Sequence, residues 1–388
     1  MFDSDKIYGM FWGLCIGDAL GFPFEYENSS SQKKWTGLIS NFKISSTSLE
    51  NNLSLVQVTD DTEMTISLLS SILYFNKLSQ ENSSKQATQK KVGFPPRVGY
   101  PLLYDSFYTL NSYIDWYKSN PIEISSHCEY LFSVDSSDQR KTESLQLNST
   151  QDATSLVKRW NNYKLRHDNY YQSDMNDWNR DNSCLMRATP LVFCNISDVL
   201  LDCKLTHMHP VCQDAVSIYI QLLKNCLITR VQSDYDKNLS TALISERKSV
   251  SQIKTKETDI YASTKECKSL IEQVLKRKER FLNVSKSDVL TTLYCGLNCY
   301  AFFDSFETAM EWLFSYHIEN KFGLGDADSN AAICGAIMGA KIGLRAMQQE
   351  YKTNFNYNII SKIKTNRPIE YQPSTRLNYL IQEIIKLL

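Results

Sequence analysis

Two acidic segments carry most of the chemistry open to this sequence. Thr59-Asp60-Asp61-Thr62-Glu63 opens a stretch in which Met64, Leu68, Ile72 and Phe75 fall on one helical face. Gly323-Leu324-Gly325-Asp326-Ala327-Asp328-Ser329-Asn330 opens a second apolar stretch, from residue 331 to 344. Each has a plain structural account, since Asp60 with Glu63 reads as a capping box and Asp328 as an N-cap, both favoured by the helix dipole. Taken with Glu25, however, the segments offer the carboxylates of Glu25, Asp60, Asp61, Asp326 and Asp328 and the hydroxyls of Thr59 and Ser329. That is a set of hard oxygen ligands. Two carboxylates about 4 Å apart repel by about 4 kcal/mol at an effective dielectric of about 20, so convergence of five requires cations.

Mg²⁺ or Mn²⁺ at a binuclear oxygen site fits this set. Calcium in an EF-hand does not, because loop position six is Ala331 instead of Gly and position twelve is Ile337 instead of Glu. Gly323-Leu324-Gly325 lacks the third glycine of a dinucleotide fingerprint, with Asp328 in its place, and there is no Gly-Lys-Ser/Thr phosphate loop.

The elements that must hold these groups are marked by glycine. Gly9, Gly13, Gly17 and Gly21 recur every four residues, and Gly335, Gly339 and Gly343 repeat the device beside Ala332, Ala336 and Ala340. Glycine inside a helix costs about 1 kcal/mol relative to alanine, so the stripes imply close helix packing. We expect two central helices, packed against each other, that hold the acidic segments rigidly at their ends.

Elsewhere the 13 Gly and 9 Pro punctuate the chain sparsely, and apolar residues repeat at helical spacing over 211–227, 287–303 and 331–347. With no hairpin or βαβ signal, the fold class expected is all-α. Residues 82–91 and 133–181 are rich in Ser, Asn, Asp and Gln and read as surface loops, the second as a polar loop-rich insertion. Residues 247–280 read as a charged helical segment with a solvated face.

Composition narrows the function classes. Of 388 residues 42% are hydrophobic and 22% charged, which describes a folded globular chain and excludes disorder, collagen or coiled coil as the whole. Forty-two Lys+Arg against 43 Asp+Glu give a net charge of -1, with no general drive toward nucleic acid or anionic membranes. Eleven cysteines without a Cys-x-x-Cys pair argue against a disulfide framework or a structural zinc site. The acidic start, Met1-Phe2-Asp3-Ser4-Asp5-Lys6, predicts an intracellular, cytoplasmic protein. The apolar run over 7–24 carries Asp18, which would cost about 3 kcal/mol at mid-bilayer and argues against a span.

Gly13-Leu14-Cys15-Ile16-Gly17-Asp18-Ala19-Leu20-Gly21 followed by Glu25, Thr59-Asp60-Asp61-Thr62, the stretch 182–191 containing Met186-Arg187-Ala188-Thr189-Pro190-Leu191, Thr206-His207, and Gly325-Asp326-Ala327-Asp328-Ser329 together resemble the ADP-ribosylglycohydrolase family, which includes the dinitrogenase-reductase-activating glycohydrolases. The resemblance runs in order from about residue 8 to about residue 345. It implies a compact, single-domain, orthogonal all-α bundle with a binuclear Mg²⁺ or Mn²⁺ centre in a cleft. Carried over by position, Thr59, Asp60 and Asp61 would hold one ion and Asp326, Asp328 and Ser329 the other, with Glu25 beside them. Asn182, Ser183, Cys184, Leu185, Met186 and His207 would line the ADP-ribose cleft, and Arg187 reads as buried and structural. The implied substrate is an ADP-ribosylated protein or a small ADP-ribosyl compound, and the implied state a monomer.

The implied chemistry suits these residues. Cleavage at the ribose anomeric carbon passes through an oxocarbenium-like state and needs a positioned water whose proton a carboxylate takes, here Glu25 or Asp61. A loop entering a helix at 182–187 could offer backbone amides to the diphosphate. Three departures stand out: Ser183 where the family usually has Gly, Ser329 for the commoner Thr, and Ala327 for a frequent Thr. The rival readings are an ADP-ribose-binding or crystallin-like protein without turnover, and a metal-dependent phosphohydrolase or nuclease. His207, His209 and Cys212 read as packing and cleft lining, against a Cys/His protease.

Overall fold

The computed structural model describes residues 2–25, 57–90, 101–134, 153–174, 178–228, 264–276, 287–319, 326–350 and 367–388. These residues form fourteen α-helices: α1 (Ser4–Glu25), α2 (Asp60–Lys90), α3 (Ser106–Lys118), α4 (Ser126–Phe132), α5 (Ala153–Tyr170), α6 (Ser183–Met186), α7 (Ile196–Lys204), α8 (Pro210–Ile228), α9 (Lys265–Leu275), α10 (Val289–Phe302), α11 (Phe306–Glu319), α12 (Ala327–Ile342), α13 (Leu344–Glu350) and α14 (Pro373–Leu387). Two 3₁₀ turns, Thr189–Phe193 and Ile369–Tyr371, complete the regular structure. No strand occurs among the described residues, only an isolated bridge between Asp181 and Asp288, so the fold is all-α as expected.

The two glycine stripes meet. A Cβ on Gly13 would overlap the carbonyl oxygen of Gly335, one on Gly17 that of Ala331, and one on Gly339 that of Gly9. Backbone therefore lies on backbone, and the pairing of Gly9 with Gly339 and Gly21 with Asp328 makes α1 and α12 antiparallel. This register brings the start of α12 to the second half of α1, where Asp18 lies. α12 is buried on every face from Ala327 to Lys341, with α10 and α11 also packed against it.

Around this pair, amphipathic helices bury one stripe each. α14 places Leu377, Leu380, Ile381, Ile384 and Leu387 inward against α2 and α1, and Trp12 Nε1 donates to Asn378 Oδ1 at 2.9 Å. α9 buries Cys267, Leu270, Ile271 and Val274 and exposes Lys265, Glu266, Lys268 and Glu272, which fits a charged helix; the rest of 247–280 lies outside the described residues, apart from Thr264 and Lys276 flanking it. All eleven cysteines are free, buried thiols. No described helix is long and apolar enough to cross a membrane.

Several local expectations need correction. The polar stretch 82–91, expected as loop, continues α2 as far as Lys90. Within 133–181, expected to be loop-rich, residues 153–170 form α5, held by aromatic and ionic contacts instead of aliphatic ones. Tyr163 is buried and donates to Leu205 O at 2.7 Å, and Arg159 pairs with Asp115 at 2.8 Å. The helix read over 331–347 breaks at Gly343, whose φ of 86° is left-handed and ends α12.

Candidate active site

α1 delivers Asp18 into the core with no exposure, and its carboxylate organises the start of α2. The Thr59 amide donates to both Asp18 oxygens at 3.1 and 3.0 Å, and the Thr62 amide and hydroxyl donate to Oδ2 at 3.2 and 2.6 Å. The first turn of α2 is thus capped from another helix, 41 to 44 residues away. The capping box read from Asp60 and Glu63 does not form. The Glu63 carboxylate is buried against Arg367 Nε at 2.8 Å and Trp116 Nε1 at 2.8 Å, the stronger partners for a charge out of water. Asp328 is likewise not the N-cap of α12. Asp326 occupies that position at a left-handed φ of 57°, and its side chain makes no capping bond, so its carboxylate is not used by the helix end.

Carboxylate oxygens of Asp18, Asp61 and Asp328 lie within 4.8 Å of one another, all three residues buried. Asp61 Oδ2 sits 3.1 Å from the hydroxyls of both Thr59 and Ser329. Asp61 Oδ1 is buried with no hydrogen-bond partner among the described residues. Each carboxylate pair at about 4.8 Å repels by about 3 kcal/mol at an effective dielectric of about 20. Burial first and the Asp328 charge second raise Asp18 to about 7 and lift Asp60 and Asp61 well above the usual carboxylate range. Asp326 rises to about 7 by burial and the charges of Asp328 and Asp181. The crowding, the all-oxygen donor set and the orphaned Oδ1 fit a hard divalent cation.

Thr59, Asp60, Asp61, Asp326, Asp328 and Ser329 are therefore brought into one acidic neighbourhood, with Asp60 only half-buried. Glu25 is the last residue of α1, and its side chain lies outside the described residues.

The segment 182–186 reaches this neighbourhood through Met186. Its carbonyl accepts from Thr65 Oγ1 on α2 at 3.3 Å, and its sulfur lies 3.9 Å from Ser329 Oγ. Asn182 is held by Thr292 Oγ1 at 2.9 Å. The backbone amides that the sequence offered to an anion are largely engaged. Ser183 donates to Asp181 Oδ1 from its amide at 3.0 Å and its hydroxyl at 2.5 Å, and the Leu185 and Met186 amides donate to Asn182 O at 2.8 and 3.1 Å. Cys184 and Leu185 are fully buried, as is His207, which stands behind the segment with Nε2 2.9 Å from Asp181 Oδ1. Arg187 is buried and structural, donating to Asp202 Oδ2 at 3.1 Å, Ser183 O at 3.2 Å and Thr206 Oγ1 at 2.8 Å.

Three residues of the site were not singled out from sequence: Asp18, Asp181 and His127, whose Nδ1 lies 2.9 Å from Asp181 Oδ2. Asp18 had a signal, a charge inside an apolar run that a core accepts only with partners. Asp181 and His127 had none, because their contacts join separate segments of the chain.

A comparison with curated proteins gives no significant match. A solved structure titled "ADP-ribosylglycohydrolase-related protein complex" aligns with a TM-score of 0.53 at 16% identity, covering 99% of this chain and 97% of that one, a likeness of fold. The sequence profile of the ADP-ribosylglycohydrolase family matches residues 2–369, nearly the whole chain, and by that match the chain belongs to the ADP-ribosylglycohydrolase family.

Proposed function

We propose that this chain hydrolyses the glycosidic bond between ADP-ribose and a modified protein side chain, or a related small ADP-ribosyl compound, with two Mg²⁺ or Mn²⁺ ions bound. The observation that carries the metal dependence is Asp61 Oδ1, a buried carboxylate oxygen without a hydrogen-bond partner among the described residues, in a cluster shared with Asp18 and Asp328. In this reading Thr59, Asp60 and Asp61 hold one ion and Asp326, Asp328 and Ser329 the other. Bound cations would polarise water and grip the ribose diol. Glu25 or Asp61 accepts the proton of the attacking water, and the negative field of the aspartates favours positive charge developing on the ribose ring. Asn182, Ser183, Cys184, Leu185, Met186 and His207 shape the ADP-ribose side of the cleft, and the contact of Met186 with Ser329 ties that side to the acidic cluster.

The test is release of free ADP-ribose, followed by chromatography and mass spectrometry, from arginine- and serine-linked peptides and from acylated ADP-ribose, with Mg²⁺, Mn²⁺ or a chelator. Metal-dependent release by the wild type and its loss in Asp61→Asn support the reading; release that persists in chelator overturns it.

One observation favours a second reading, ADP-ribose binding without turnover. Ser183 stands where the family usually has glycine, and its amide is bound to Asp181, leaving less bare backbone for a diphosphate. Calorimetric binding of ADP-ribose with no release from any substrate, and release gained in Ser183→Gly, would select it.

A further inference from the structure

Behind the segment 182–186, three side chains that the acidic cluster does not use converge on one point. His127 Nδ1 lies 2.9 Å from Asp181 Oδ2, and His207 Nε2 lies 2.9 Å from Asp181 Oδ1. The two imidazoles meet edge to face with centroids 4.4 Å apart. One ligand-type atom from each of the three residues falls within 4.8 Å of the others. The side chains of His127 and His207 are 2% and 0% exposed and that of Asp181 is 13% exposed, so the carboxylate is the open side.

Each group is also held from behind. His207 Nδ1 is 2.8 Å from Thr206 Oγ1, which accepts from Arg187 Nη2 at 2.8 Å. His127 Nε2 is 3.7 Å from Cys128 Sγ, and Asp181 Oδ1 accepts from Ser183. Such outer contacts fix ring orientation and leave one nitrogen of each imidazole facing inward, as in metal-ligating histidines.

A fourth polar side chain meets the same point. Asn179 Oδ1 accepts from the Asp181 amide at 2.9 Å, which fixes the amide orientation and turns Nδ2 toward His127 Nδ1 at 2.7 Å and Asp181 Oδ2 at 2.9 Å. An ion on Nδ1 uses the ring's single lone pair, so the Asn179 amide must turn aside when it binds.

We infer that His127, Asp181 and His207 form a binding site for a divalent transition-metal ion of the zinc type, separate from the oxygen cluster of Asp18, Asp61 and Asp328. Two imidazoles and one carboxylate are a zinc ligand set with a position left open, whereas carboxylates and hydroxyls suit Mg²⁺ or Mn²⁺. Zinc bonds of about 2.0 to 2.1 Å put tetrahedral ligand atoms about 3.3 Å apart, close to the 2.9 Å between each Asp181 oxygen and its histidine nitrogen. The cysteine spacing argued against a structural zinc site, and this one uses no cysteine. Its occupant would join α4 to the 182–186 segment and place positive charge beside Ser183.

The test uses the full chain, stripped with chelator and returned to saturating Mg²⁺, titrated with Zn²⁺ against a chromophoric chelator, with Co²⁺ as spectroscopic probe. The expected result is one tight Zn²⁺ equivalent that Mg²⁺ does not displace, imidazole scattering in the X-ray absorption spectrum, loss of that equivalent in His127→Gln and its retention in Asp61→Asn. Binding of Zn²⁺ with equal affinity by wild type and His127→Gln, displacement by Mg²⁺, or an oxygen-only spectrum overturns the inference. If His127→Gln fails to fold, the wild-type spectrum and retention in Asp61→Asn decide it. Since no activity is read, failure here leaves the hydrolase reading standing, and the converse also holds.

Discussion

Thr62 donates both its hydroxyl, at 2.6 Å, and its backbone amide, at 3.2 Å, to Asp18 Oδ2, so a carboxylate on α1 caps the first turn of α2. The same carboxylate is one of the three crowded in the oxygen cluster. Asp18 thus fixes where Thr59, Asp60 and Asp61 stand relative to Asp328. Its removal leaves the buried Thr59 and Thr62 amides without acceptors. Asp18→Ala is expected to destabilise the fold by about 2–3 kcal/mol, and Asp18→Asn, which keeps one acceptor and removes a buried charge, by less. Urea denaturation of the two variants in chelator measures the difference.

Cations at the oxygen cluster bind the folded chain alone. Mg²⁺ or Mn²⁺ at about 100 times its dissociation constant is expected to stabilise by about 2.7 kcal/mol, and chelator to reverse the gain. Thermal melts should show the shift in the wild type and lose most of it in Asp61→Asn. A shift of equal size in that variant would place the ions elsewhere.

Backbone-to-backbone packing tolerates no added carbon. At Gly13 a Cβ meets the Gly335 carbonyl, which cannot move without shifting α1 from α12, whereas at Gly296 it meets only side-chain methyls, Ile337 Cδ1 at 3.0 Å and Ile333 Cγ2 at 3.1 Å. Gly13→Ala should therefore cost about 1–3 kcal/mol and weaken Mg²⁺ binding by disturbing Asp18 against Asp328. Gly296→Ala should stay within about 1 kcal/mol, because the helix gains about what packing loses. Denaturation curves of both variants, with the metal-dependent shift, separate the two effects.

Glu63 and Arg367 form a buried pair, with side chains 2% and 6% exposed and Nε 2.8 Å from Oε1. Trp116 Nε1 donates to the same carboxylate at 2.8 Å, and Arg367 also reaches the carbonyls of Ser119 and Asn120. Arg367→Ala strands a buried carboxylate and is expected to cost about 3–5 kcal/mol. Adding Glu63→Gln should recover part of that loss. A double-mutant cycle by chemical denaturation reads the coupling, and strictly additive costs would show that the pair does not act as a unit.

Helical spacing, the two glycine stripes and the acidic segments that open α2 and α12 were legible in the sequence because each is a local pattern with a local physical cause. Periodicity marks a buried face, and glycine at every fourth position marks a close neighbour. The polar stretch of α5 was not legible, since its helix is held by tyrosines and the Arg159–Asp115 pair instead of an aliphatic stripe.

The sequence by itself determined the all-α class, the meeting of two glycine-faced helices in outline, and an oxygen-rich acidic set from Thr59, Asp60, Asp61, Asp326, Asp328 and Ser329; their antiparallel direction came from the structure. Only the tertiary structure decided that Asp18 caps α2 across 44 residues, that Glu63 turns to Arg367 across 304 instead of boxing its own helix, and that Asp181 joins His127 and His207. The reason is that a buried charge takes whichever partner the packing brings nearest. That partner is set by how helices far apart in the chain lie against one another, and spacing along the chain does not specify it.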